Sequence, residues 1–247
     1  MFERTADLYD VIYAHKDYGS EAAWLRDVIR ARVPDARTLL DVACGTGKHV
    51  EHLRDDFACQ GVDIDERLVA VASARCDVPI HVANMDHFDL GEQFDVVICM
   101  FSAIGYTRDL NGAIAAMARH VAADGVLIVE PWFGPDEWNV GTIHVLDNRA
   151  NGMRVVRMGH SEIDGNVAMM NMHHLVGTAA GIEHVVETHR MTLFTANEYE
   201  AAFRAAALSY EVDRPGPSGR GALIGQPRRA GEPPRPVRPG TRARRRR

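Results

Sequence analysis

The stretch TLLDVACGTG, residues 38–47, decides the fold. Thr38 to Ala43 is a short apolar run without strict alternation, which predicts a strand buried on both faces, as in a parallel sheet. It ends in Cys44-Gly45-Thr46-Gly47, small residues that let the backbone come close to a ligand. In an open α/β sheet, ligands bind outside the carboxyl ends of the strands, where this loop would lie. A helix is expected to follow over about 47–55. The glycine spacing is G-x-G followed by Lys48, without the third glycine of the dinucleotide fingerprint or the GK[ST] of a phosphate loop. A pyrophosphate is therefore not the expected ligand of this loop.

The same grammar continues on both sides. An amphipathic helix over 21–32 precedes the strand, with Trp24, Leu25, Val28 and Ile29 at helical spacing. Further strands are expected at 59–63, 80–83, 94–100 and 125–130, with helices near 66–75 and 110–122. Alternating strands and helices predict a doubly wound, Rossmann-like α/β sheet. From 142 to 194 the pattern changes to four β-like runs, at 142–146, 153–160, 167–176 and 182–194. Turn signals at Asn151-Gly152, Asp164-Gly165 and Ala180-Gly181 separate them, which predicts an antiparallel β-sheet inserted into the α/β unit. Thr195-Ala-Asn-Glu198 has the form of a capping box opening a helix to about 207. Final strands are expected at 208–212 and 222–225. One folded domain would span 1–227.

Composition narrows the function classes. The 247 residues are 46% hydrophobic, enough for one sizeable core. The apolar runs are far too short to span a bilayer, and residues 1–18 carry too many acids and tyrosines for a signal peptide. The four cysteines show no CxxC spacing, so buried reduced thiols in a cytoplasmic protein are expected. The net charge of −6 hides an asymmetry: the segment from Gln226 onward holds nine arginines and one acid, +8, leaving −14 for residues 1–225. The acidic body argues against nucleic-acid binding. The Pro/Arg-rich tail, 228–247, has almost nothing apolar to bury and is expected to be a disordered, dispensable extension. No membrane partner is expected, and no metal: the neighbours His173 and His174 point to opposite faces of a strand and cannot easily chelate one ion.

Two more features sit at successive strand ends. Asp63, closing Gly61-Val62-Asp63, places a carboxylate where it can accept hydrogen bonds from both hydroxyls of a ribose. Asn84-Met85-Asp86 follows the third strand, with a polar side chain suited to an adenine amino group and a soft apolar one suited to its ring. Each alone is weak, since Asp63 also reads as a helix cap and Met85 as core. Together with the glycine loop they describe an adenosine site.

At this point the chain resembles the class I S-adenosylmethionine-dependent methyltransferases. DVACGTG, the acid after the second strand, MFSAIG (100–105), EPW (130–132), HRMTLF (189–194) and GPSGRG (216–221) occur in order. With the LYD and KDY segments, they are similar to the dTDP-linked amino-sugar N,N-dimethyltransferases of macrolide biosynthesis, which make desosamine and mycaminose. The resemblance covers about 7–225. It implies S-adenosylmethionine as cofactor, a small-molecule nucleotide-linked amino sugar as substrate, antibiotic biosynthesis as setting, and a homodimer. Tyr9 would close over the amino-acid end of the cofactor. Asp41, Ala43, Gly45 and Gly47 would form its loop, and Asp63, Asn84, Met85 and Met100 the rest of its pocket. Tyr18, Ser102, Trp132 and Arg220 would face the acceptor, Arg220 contacting its diphosphate, a role for which a guanidinium is suited.

The chain departs from the family pattern in places. Where the family has SIGH, this chain has Ala103-Ile104-Gly105-Tyr106, so the histidine near the transferred methyl is a tyrosine. Asn84 replaces the usual aspartate. After the aromatic pair Trp132-Phe133, Gly134-Pro135 differs, and an N-terminal extension carrying a further tyrosine is missing. These changes bear on the acceptor and leave open another natural-product nucleophile, a peptide amine or a hydroxyl. A cofactor-binding module without catalysis is a more remote alternative. Three groups are candidates for taking the proton of an amine: Tyr106, a poor base at its ordinary pKa, His160 and Glu130. A sulfonium methyl is already activated, so positioning dominates and no single base is expected to be essential.

Overall fold

The computed structural model describes residues 6–150 and 152–228. Among these residues eleven strands, β1 to β11, make two sheets, and six α-helices, α1 to α6, accompany them, most packed on the larger sheet. The larger sheet holds β1 (Thr38–Val42), β2 (Ala58–Asp63), β3 (Ile80–Val82), β4 (Phe94–Cys99), β5 (Val121–Val129), β10 (Glu211–Asp213) and β11 (Ala222–Gly225). Their order is β10-β11-β5-β4-β1-β2-β3, with β11 antiparallel to β5 and β10. The chain reverses its direction of winding between β1 and β4, so their carboxyl ends open the crevice where a ligand binds.

The unbroken apolar runs of the central strands are explained by burial on both faces. Leu40, Val42, Val97, Cys99, Leu127 and Val129 face one core with Ala113, Ile114 and Met117 of α5 (Leu110–Arg119) and Phe203 of α6 (Ala196–Ala205). Their neighbours Leu39, Val96, Ile98, Val126 and Ile128 face the other. There they meet Leu25 and Ile29 of α2 (Tyr18–Arg32) and Val50 and Leu53 of α3 (Lys48–Leu53). α4 (Glu66–Cys76) follows β2. The capping box forms as the sequence predicts: Thr195 Oγ1 accepts from Glu198 N–H while the Glu198 carboxylate accepts from Thr195 N–H.

The second sheet is a four-strand antiparallel meander, β6 (His144–Ala150), β7 (Met153–Asp164), β8 (Val167–Thr178) and β9 (Gly181–Thr192). Pairing places Arg157 opposite His174 and His174 opposite Val185, so Arg157, His174, Glu187 and His189 share one face. That inner face turns toward the larger sheet. A short helix, α1 (Tyr9–Ile12), bridges the two: Val11 and Ile12 pack on Val155, Val176 and Val185, and Asn148 Nδ2 donates to Ile12 O at 2.7 Å.

Several boundaries differ from the sequence expectation. The helix expected to 122 stops at Arg119, and β5 begins at Val121 rather than at 125, because Val121 pairs with Phe94 ahead of a register shift. β6 begins two residues later and runs four residues further than expected, since Asp147, Asn148 and Arg149 continue the ladder with β7. The strand expected at 208–212 shrinks to β10, and Leu208 contributes only an isolated bridge to Pro227. Asn151, part of an expected turn, lies outside the described residues, as does the tail from 229 onward.

Candidate active site

One cavity of about 830 Å³ opens at the carboxyl ends of β1, β2 and β4 and runs beneath the inner face of the second sheet. That volume is at the upper end for a small-molecule pocket. One end of it is built by the strand-end motifs. The Asp63 carboxylate accepts from Gly45 N–H at 2.8 Å and from Asp65 N–H at 3.0 Å, which ties the β1 loop to the end of β2. Burial raises its carboxyl above the ordinary range despite these bonds. Asn84 Oδ1 accepts from Asp86 N–H at 2.9 Å, leaving its amide NH₂ as a donor, and buried Met85 offers a flat apolar wall. Tyr9 packs over the glycine loop, where a Cβ on Gly45 would lie 3.5 Å from its hydroxyl. Ala43 and Met100 complete this end.

Asp41 stands beneath the loop in a small cleft of about 20 Å³ with Tyr18, Thr46 and His49. Its Oδ2 is buried without a hydrogen-bond partner, and burial, reinforced by the charge of Asp63, pushes its pKa up to about 7. Tyr18 is buried edge-on against His49 at 5.1 Å and borders this cleft rather than the large cavity. Gly47 is the N-cap of α3, behind the loop.

The opposite end is aromatic and cationic. Trp132 lies 4.8 Å from Phe133 and 5.6 Å from Trp138, centroid to centroid. The indole N–H groups of Trp132 and Trp138 are buried without partners. Arg220 reaches this cluster from the GPSGRG loop, its guanidinium 5.9 Å from both the Trp132 and Phe133 rings. The loop closes on itself at Gly216, where a Cβ would stand 2.4 Å from the Gly221 carbonyl carbon, so the turn admits no side chain there.

Glu130 does not line the cavity. It is fully buried, and its carboxylate accepts from Phe101 N–H at 2.7 Å, from Arg220 Nη2 at 2.8 Å and from Ser218 Oγ. Ser102, also buried, accepts from Arg220 Nε at 2.9 Å and donates to Pro131 O. Phe101 and Ser102 take left-handed backbone conformations to bring this about. Such non-glycine strain clusters at functional sites. His160 borders the cavity but is exposed, in the strand phase that points to the outer face. Tyr106 lines the cavity directly.

The structure also brings in Tyr13, Arg157 and Glu187, which no local motif marked, and joins Tyr106 to His189, the first residue of HRMTLF. Tyr13 stacks edge-on against Phe101 at 5.0 Å, and Arg157 lies over its ring at 5.7 Å. Tyr106 Oη lies 2.6 Å from His189 Nδ1, and His189 Nε2 lies 3.2 Å from Glu187 Oε2. A sequence signal for the last pair existed. Glu187 and His189 occupy the buried phase of β9 between Val185 and Met191, where apolar residues are expected.

Comparison with known proteins agrees with this geometry. A family model described as a methyltransferase domain matches residues 39–125. A dTDP-3-amino-3,6-dideoxy-alpha-D-glucopyranose N,N-dimethyltransferase of Streptomyces fradiae is 43% identical over 235 residues, 92% of each chain. The crystal structure of Streptomyces venezuelae DesVI aligns with a TM-score of 0.87 and 40% identity, covering 90% of this chain and 98% of that one. An amino pentose methyltransferase from Micromonospora echinaspora, involved in calicheamicin biosynthesis and solved with S-adenosylmethionine bound, aligns with a TM-score of 0.81. It is 37% identical, with 88% and 95% of the two chains covered. The chain belongs to the S-adenosylmethionine-dependent methyltransferases, within the group of the dTDP-amino-sugar N,N-dimethyltransferases. The residues present fit that cofactor: a strand-end carboxylate at Asp63, an amide donor at Asn84 and an apolar slot at Met85. Among the described residues no helix is long and apolar enough to cross a membrane.

Proposed function

We propose that this methyltransferase transfers methyl groups from S-adenosylmethionine to the amine of a dTDP-linked amino sugar. The observation that carries this reading is Arg220, a cation presented to the same cavity as the donor slot and held there by a fully buried carboxylate. A fixed guanidinium suits a diphosphate, which it can bond in two places at once. The activities of the relatives, N,N-dimethylation of dTDP-linked amino sugars, support the same substrate class.

When bound, S-adenosylmethionine supplies a sulfonium methyl already activated toward a lone pair. The chain's work is to hold the amine in line and exclude water. Asp63 accepts from the ribose hydroxyls, Asn84 and Met85 take the adenine, and Tyr9, Ala43, Gly45 and Met100 enclose the remainder of the donor. Asp41 and Gly47 shape the loop from behind, and Tyr18 supports its floor. Arg220 binds the diphosphate, and Trp132 packs beside it, its indole N–H a further donor. Glu130 and Ser102 position Arg220, and Glu130, fully buried and turned away from the cavity, has no path to the acceptor amine. His160 stands at the rim.

The protein works in the cytoplasm as a homodimer on this reading. Four free, buried cysteines suit a reducing compartment. The outer face of the second sheet exposes Val145, Met158, Leu175 and Ile182, the last 80% accessible, and a second copy would cover them. Light scattering of the purified chain tests the dimer. Incubation with S-adenosylmethionine and dTDP-linked 3-amino and 4-amino sugars tests the reaction, with product mass gain corresponding to one or two methyls expected. Donor binding by calorimetry without any product would refute the acceptor and point to a peptide amine or a hydroxyl.

A further inference from the structure

We infer that Tyr106, His189 and Glu187 form a proton relay that takes the proton of the acceptor ammonium out of the cavity and into the second sheet. The inference rests on the amine-methylation reading above, because an alkyl ammonium must lose a proton before its nitrogen has a lone pair to offer.

The relay begins with geometry. Tyr106 ends a 3-10 turn, Ala103–Tyr106, that leaves β4 beside the donor slot. This turn wedges between Trp132 and Met191: a Cβ on Gly105 would lie 2.7 Å from Met191 Cε and 2.9 Å from Trp132 Cβ. The close approach sets Tyr106 against β9, two residues along from Met191. There its hydroxyl meets His189 Nδ1 at 2.6 Å, short for a bond between neutral groups. Glu187 is the next residue on the same face of β9, and its Oε2 lies 3.2 Å from His189 Nε2. A carboxylate only accepts, so it selects the tautomer with the proton on Nε2. Nδ1 is then left with its lone pair directed at the phenol. A carboxylate orienting an imidazole that accepts from a hydroxyl is the arrangement that moves protons in nucleophilic triads.

Each proton has a place to go. The ammonium N–H bond breaks, and its proton passes to Tyr106 Oη as the phenol's own proton passes to His189 Nδ1. The tyrosine ends neutral, the amine gains its lone pair, and the new imidazolium lies beside the Glu187 carboxylate. After product leaves, Nδ1 returns the proton through Tyr106 to water entering the cavity. Tyrosinate never accumulates, in keeping with the burial that holds the Tyr106 phenol protonated. The groups facing this relay are Tyr9 from α1, Tyr13 at its C-cap, Asp63 from β2, Arg157 from β7 and His174 from β8. Burial, with Arg157 adding to it, pushes the pKa of His174 down to about 4, so His174 stays neutral while His189 cycles.

The test is the pH dependence of kcat at saturating substrates for the full chain and for Tyr106→Phe, His189→Gln and Glu187→Gln, with donor affinity measured by calorimetry for each. At pH 7 the phenylalanine and histidine variants are expected to lose about a hundredfold, within the usual range for a positioned proton acceptor. As the pH rises toward the amine's own pKa, about 8 to 10 for alkyl amines, water takes the proton and each variant recovers to within about threefold of the wild type. Glu187→Gln should show the same recovery from a smaller loss. A variant slowed by one constant factor at every pH would make the trio merely structural and overturn the relay. So would variants whose profiles coincide with the wild type. Wild-type protein that binds the donor but methylates no amine would overturn the underlying reading and the relay with it. Tyr106→Phe removes one oxygen from a cavity-lining ring, so it answers the question even if a buried β9 variant does not fold.

Discussion

Glu130→Gln keeps the shape of a fully buried side chain and removes its charge. The carboxylate now receives three donors, Phe101 N–H, Arg220 Nη2 and Ser218 Oγ. An amide has one accepting oxygen and one donating nitrogen, so either the backbone donor or the Arg220–Ser218 pair must face NH₂. A buried donor left unsatisfied costs about 1–3 kcal/mol. Breaking a fully buried ion pair would cost about 3–5 kcal/mol, but the Arg220 side chain is 23% exposed and regains water, which lowers that figure. The sum is about 2–4 kcal/mol, or a fall in Tm of roughly 5–15 °C for a domain of this size. Thermal unfolding followed by circular dichroism measures it. In the same variant Arg220 loses its anchor, so KM for the nucleotide sugar should rise about tenfold while the donor Kd moves far less. A Tm within 2 °C of wild type together with an unchanged KM would refute the reasoning, because it would mean that Glu130 neither stabilises the loop nor aims Arg220.

Asp63→Ala should weaken S-adenosylmethionine binding by about a hundredfold in calorimetry, since hydrogen bonds to a charged acceptor contribute about 1.5–3 kcal/mol each. A change under threefold would remove Asp63 from the ribose site. For Asp41, whose pKa is raised by burial to about 7 against about 3.9 unfolded, the folded state binds the extra proton between those values. Its contribution to stability therefore falls as pH rises from about 4 to about 7 and is constant above. The stability of donor-free wild type relative to Asp41→Asn should follow that course in urea titrations, at no more than about 1.4 kcal/mol per pH unit. A pH-independent difference would contradict it. Thr195→Ala should cost about 1 kcal/mol of stability through the lost cap, with turnover unchanged; an unaltered urea midpoint would show that the helix does not depend on it.

How legible each part was depends on how local its cause is. The donor side is written in strand ends: Asp63 closes its strand, Gly45 and Met85 lie just past theirs, and the parallel register of β1, β2 and β3 then brings them together. The same locality made the capping box and the hairpin turns readable. The boundaries that shifted are set by partners instead. Nothing in Val121-Ala122-Ala123 announces a strand until Phe94 is beside it, and Asp147-Asn148-Arg149 is polar enough to read as loop until β7 pairs with it. The acceptor side is the extreme case. Arg157, Glu187 and His189 lie on the second sheet, far in sequence from the turn that carries Tyr106, and meet it only through the register of that sheet and the wedge at Gly105. Apart from the HRMTLF motif that begins at His189, their local trace is charge in a phase reserved for apolar side chains.

The place of β11 has a consequence for how the chain assembles. It lies between β5 and β10, with Leu223 opposite Val129, so the ladder that seals the sheet joins residues on either side of the whole 130–222 segment. During synthesis the donor half emerges first, while the edge of β5 stays unpaired and its Ala222 and Ile224 covering has not yet been made. An open apolar edge is a template for wrong pairing. The meander shortens the exposure. Its strands pair only with sequence neighbours across short turns, contacts that form fast. Once folded, it draws residues 144 and 192 toward each other, and the closure left to β11 is that of a much shorter loop.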